Sequence, residues 1–152
     1  MFCSPHNPVA RVWEKEELEK IAEICLKHNV YIISDEIHSD FIFEGSKHTP
    51  ISTLSEEVKM KTVTCVAPSK TFNIAGLQTS AIVVPNEELF KKVQKGLDKD
   101  GVNHPNVFAV PSAIAAFENG EQWLDELRVY IWENKKFAHE FVEKEIPQIK
   151  II

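Results

Sequence analysis

The chain has 152 residues, 43% hydrophobic and 26% charged, with a formal net charge of -6. That length and balance fit one domain with a real core. The acidic balance argues against a nucleic-acid partner, which usually leaves a basic patch, and no apolar run is long enough to span a membrane. The start, MFCSPHNPVAR, lacks the basic and apolar regions of a secretory leader. Cys3, Cys25 and Cys65 are odd in number and sit in apolar surroundings, so they read as reduced cysteines of a cytoplasmic protein.

In chain order, Met1 to Cys3 reads as the end of a buried strand, broken by Pro5 and Pro8. Lys15 to His28 carries apolar residues at helical spacing, with acids early and basic residues late, which suits the helix dipole. Val30 to Ser34 is β-branched and apolar, and is expected to be a strand buried on both faces. Thr62 to Val66 and Ala81 to Val84 are two further strands. Glu87 to Leu97 is a predicted helix capped by Asn86. Ser112 to Phe117 is expected to be a buried helix with Pro111 near its start. After Gly120, Glu121 to Glu145 is a long amphipathic helix that Pro147 ends, and Ile149 to Ile152 reads as another strand. Strand, helix, strand predicts an α/β fold on a mostly parallel sheet. Because both ends fall inside elements, the chain is expected to be part of a longer protein.

Three strand-end segments could carry chemistry, because loops at the carboxyl ends of parallel strands line the ligand crevice. The first is Ser4 to Pro8, where two prolines flank Asn7. An amide held there could donate to an oxygen anion; Asn and Pro equally suit a plain turn. The second is Ser34-Asp35-Glu36, two acids facing the crevice, with His38 on the same face if the segment is helical. Asp35 equally suits a helix cap, and a lone histidine among apolar residues is more often simply packed. The third is Ala67 to Asn73, in which Lys70 closes a buried strand. Burial would depress its amine pKa and make it nucleophilic, and Ser69 and Thr71 offer hydroxyls for a phosphate. The segment lacks the glycines of a phosphate-binding P-loop, and Ala67 stands where a serine β-lactamase needs its serine. His38, His48 and His104 lack zinc-ligand spacing, so no metal is expected.

An amide, an acid and a lysine on three successive strand ends match what pyridoxal 5'-phosphate (PLP) needs around its ring. The chain resembles the PLP-dependent aminotransferases of fold type I, class I and II. Within them it is most similar to the cystathionine β-lyase and cysteine-conjugate C–S lyase branch. Ser4 to Trp13 (SPHNPVARVW), Ser34 to Asp40 (SDEIHSD) and Ala67 to Gln78 (APSKTFNIAGLQ) carry the likeness, with support from Gly120 to Leu127.

The resemblance implies that Lys70 joins PLP through an imine and shuttles the substrate's Cα proton. Asp35 would pair with the ring nitrogen, Asn7 and His38 would approach the ring's 3-oxygen, and Ser69 would bind the phosphate. Gln78 stands where many relatives place a phosphate-binding arginine, and together with His38 it favours a lyase over a transaminase. Ala10 replaces a glycine usual at the end of the first turn, a strained position if φ is positive. The resemblance also implies a partial large domain in residues 1–120. Residues 121–152 would be the interdomain helix and the start of a small domain. A small amino-acid substrate and a homodimer are implied too. Transamination remains the alternative activity. A non-catalytic, protein-interaction role is a reading of another class.

Overall fold

The computed structural model describes residues 1–151. Four strands form one sheet in the order β1-β2-β3-β4: β1 (Phe2–Cys3), β2 (Ile32–Asp35), β3 (Thr62–Val66) and β4 (Ala81–Val83). The first three run parallel and β4 is antiparallel to β3, so the expected mostly parallel sheet is present. Helix α1 (Lys15–Lys27) is the crossover between β1 and β2. Its apolar stripe forms the core: Leu18 and Ala22 pack with Ile32, Ile51 and Val58, the last from the short helix α2 (Glu56–Met60). Phe2, Trp13 and Cys25 pack against that cluster. The three cysteines are unpaired.

Helix α1 begins with a reciprocal cap. Glu14 accepts from the backbone of Glu17, and the Glu17 side chain accepts from the Glu14 amide. This gives two of the helix's unpaired N–H groups a partner. Helix α4 (Glu87–Asp100) has the predicted cap, with the Leu89 amide donating to Asn86 Oδ1 at 3.0 Å. It runs three residues past Leu97 and stops at Gly101, whose φ of 66° suits a residue without Cβ.

Several expectations need correction. β2 starts at Ile32 rather than Val30, and Ile33 is 44% exposed, so only one face of this strand is buried. Residues 112–117 lie in the longer helix α5 (Ala109–Asn119), which is not buried: only Ala109 is enclosed, while Ile114 and Phe117 are exposed. Helix α6 (Glu121–Glu145) forms as predicted, yet it buries only Leu124 and leaves Tyr130, Phe137 and Phe141 exposed. Their spacing is that of an apolar stripe, yet among the described residues no element covers Tyr130, Phe137 or Phe141. Ile149 to Ile151 form no strand, and Ile152 lies outside the described residues.

Candidate functional site

Strand register brings the three segments together. Cys3 pairs with Asp35, and Asp35 with Cys65, so β1, β2 and β3 end level with one another. Asn7, the Asp35 to His38 segment and the Ser69-Lys70 segment therefore all leave from the same carboxyl edge. Because β4 is antiparallel and Val66 pairs with Ala81, Gln78 enters from that edge as well. All six residues singled out from the sequence share one edge of the sheet.

Each is held differently. The loop bearing Asn7 closes on itself through backbone bonds between His6 and Arg11 and between Ala10 and His6. Ala10 adopts φ 56° to make that turn, as its replacement of a glycine foretold. Asn7 Nδ2 lies 3.4 Å from His38 Nε2, so the amide donates to the ring across two loops. Residues 37–40 form turns rather than a helix, so no helical face joins His38 to Asp35. The half-buried Asp35 accepts from the Ile37 amide at 3.3 Å. Among the described residues no ion pair involves Asp35 or Lys70.

Lys70 does not close the strand as a buried residue. It lies in helix α3 (Pro68–Thr71), a single turn started by Pro68, and it is exposed. Its flanks are the fixed part: Pro68 and Thr71 are buried, and Ser69 is half-buried. Gln78 is exposed and adopts the left-handed conformation at φ 50°. An open pocket of about 420 Å³ lies beside the Asn7–His38 contact, lined also by Phe41, Phe43, Trp132 and Lys135; Asp35 and Lys70 do not line it.

Two readings of neighbouring residues change. Glu36 does not face the crevice with Asp35. It is 4% exposed, accepts from Ser34 Oγ at 2.8 Å, and pairs with His48 Nε2 at 3.0 Å. Side chains alternate along a strand end, so consecutive acids must point to opposite sides. Thr71 offers no hydroxyl to a ligand, because its Oγ1 donates to Asp40 Oδ2 at 2.7 Å in a fully buried position. Asp40 ends the SDEIHSD segment, yet a spaced acid by itself carries no sign of a partner 31 residues away. Cys65, level with Asp35, has its thiol pKa raised by burial and then by the charges of Asp35 and Glu36. Its sulfur is therefore held as a neutral thiol beside the acid.

This edge carries a lysine and an acid on adjacent strand ends, neither in an ion pair among the described residues. The chain belongs to the aminotransferase class I and II family, whose model matches residues 1–152. It is 47% identical over its whole length to cystathionine β-lyase PatB of Bacillus subtilis (strain 168) and spans 39% of that protein. The crystal structure of cystalysin from Treponema denticola, which contains pyridoxal 5'-phosphate, superposes with a TM-score of 0.96 at 39% identity, over 98% of this chain and 38% of that one. The PLP-bound C–S lyase from Staphylococcus hominis matches with a TM-score of 0.85 at 38% identity, over 96% of this chain and 36% of that one. The chain thus spans less than two fifths of the length of these relatives.

Proposed function

We propose that the chain carries the cofactor-lysine part of a PLP-dependent C–S lyase. The protein would cleave cystathionine or related cysteine S-conjugates to a thiol, pyruvate and ammonia. The observation that carries this reading is the gathering of Asn7, Asp35, His38, Ser69, Lys70 and Gln78 on one sheet edge. The donor set fits PLP. An acid with no cationic partner suits a protonated ring nitrogen, an amine outside any ion pair suits a carbonyl, and a hydroxyl and an amide suit oxygens. PLP, when bound, supplies an acceptor for the electrons left at the substrate's Cα.

The chain's own residues would do the rest. Lys70 would hold the cofactor and then take the Cα proton on its Nζ. Asp35 would keep the ring nitrogen protonated. Asn7 and His38, already in contact, would bracket the ring's 3-oxygen, and Ser69 would donate to the phosphate. Gln78 adds no charge there. The names borne by the relatives support lyase over transaminase. On this reading residues 1–120 belong to the cofactor domain of a cytoplasmic enzyme, and residues 121–152 lead to a second domain. The apolar faces of α5 and α6 suit a homodimer or the rest of a longer chain.

The test is product analysis with the full chain and PLP. Pyruvate should form from cystathionine without a keto acid, and Lys70→Ala should abolish it. Amine transfer to a keto acid without pyruvate release would replace the lyase by a transaminase. If borohydride fixes no PLP on Lys70, the chain's role is not catalytic and lies in protein contacts.

A further inference from the structure

The exposed side chain of Lys70 leaves its placement to its neighbours, and those neighbours are tied to a distant helix. Immediately after the lysine, the fully buried Thr71 donates to Asp40 Oδ2 at 2.7 Å. Asp40 is engaged a second time: its backbone oxygen accepts from Arg128 Nε of α6 at 2.7 Å. Arg128 is oriented for that bond by Asp125, one helical turn earlier, at 2.8 Å. The next residue, Phe72, docks on the same region. Its ring meets Phe117 of α5 edge-on at 5.6 Å and lies 6.0 Å from Trp123 of α6. Gly120, between the two helices, leaves no room for a Cβ against Phe72 and the Ala116 carbonyl.

We infer that Asp40 is a positioning residue that sets Lys70 from α6, through Thr71 on one side and Arg128 on the other. The inference deepens the proposed function, since it rests on Lys70 as the cofactor lysine. The physical basis is a short, fully specified chain of contacts. Arg128, Asp40 and Thr71 come from three separate stretches of sequence, and each bond is short and directional. A single-turn helix holds its own shape poorly, so α3 takes its position from what it is bonded to. A shift of α6 then moves Asp40 and Thr71, and with them the Cα of Lys70. Packed and hydrogen-bonded contacts can carry coupling of this kind, and here each one is identified.

Hydrogen exchange in the full chain tests this without relying on turnover. The amides of Phe72 and Ile74, which donate to Pro68 and Ser69, report on α3 directly. Thr71→Val removes the hydroxyl and should speed their exchange about tenfold, the effect of losing one such hydrogen bond. Thr71→Ser keeps the hydroxyl and should restore slow exchange. Arg128→Gln, on a different element, should speed the same amides while α1 stays protected. If that variant loses structure throughout, Arg128→Lys decides instead, because it keeps the charge beside Asp125 and lacks the Nε–H. The yield of PLP fixed on Lys70 by borohydride at subsaturating cofactor should fall in the same order across the variants. Unchanged exchange at Phe72 and Ile74 in the Arg128 variants would overturn the inference. Absence of fixed PLP in the unmutated chain would overturn the cofactor reading alone, with the link from α6 still judged by exchange.

Discussion

Ala10 holds a φ of 56°, where a Cβ crowds the following carbonyl. Replacing it by glycine relieves that strain and concedes some unfolded-state freedom. Ala10→Gly should therefore gain about 0.5–1 kcal/mol, read as a higher urea midpoint; a lower midpoint would show that the alanine side chain packs usefully. Glu17 titrates in a way that can be traced. Its pKa is lowered, first by the hydrogen bond from the Glu14 backbone and then by Arg11, whose Nη2 sits 2.5 Å away. A depressed carboxylate pKa stabilises the fold above the unfolded-state value, and that contribution is lost as pH falls through the lower, folded value. Protection of the Glu14 amide should therefore decay on acidification below the ordinary glutamate range. Glu17→Gln should remove that pH dependence, and a profile identical to the unmutated chain would contradict the assignment.

Among the elements, the junction after β2 is the most constrained. Ser34, Glu36 and His48 form a buried polar chain that ties the segment leading to Pro50 to the end of β2. Removing the His48 ring leaves the buried Glu36 side chain with Ser34 Oγ as its remaining partner, and a buried polar atom without its bond is costly. His48→Ala should destabilise by about 2 kcal/mol in chemical denaturation, and a change under about 0.5 kcal/mol would mean that water replaces the ring. This junction also shows where pattern reading stops. The SDEIHSD segment was rightly placed at a strand end, and Asp35 stands on the crevice edge as expected. The sequence does not show that Glu36 turns inward to His48, or that Asp40 turns toward Thr71. Both choices depend on partners brought near only by folding, 12 and 31 residues further along.

For the whole molecule, the exposed area is the telling quantity. The chain exposes 10,895 Å², whereas a compact monomer of 17.3 kDa would expose about 7,800 Å². Exposed aromatic residues stand on α5 and α6, among them Phe117, Tyr130 and Phe137. Exposed aromatic side chains concentrated on two helices mark a contact region. The 152-residue chain on its own should therefore bind an anilinonaphthalene dye and sediment as a species heavier than 17.3 kDa. A monodisperse 17.3 kDa species without dye binding would show that the helices fold back and cover themselves.

Local signals set the type and rough position of most elements, and the edge they serve. β-branched runs and Asn86 as a cap are local signals, and their physics acts within a few residues. The order of amide, acid and lysine on successive strand ends was legible for the same reason, since parallel topology puts successive strand ends on one side. Tertiary structure alone decided burial and pairing. Lys70 is exposed while Thr71 is enclosed, Asp35 accepts only a backbone amide among the described residues while Glu36 finds His48, and the apolar stripes of α5 and α6 remain open. An apolar stripe states which face seeks cover, but whether cover exists depends on what else the folded protein places there.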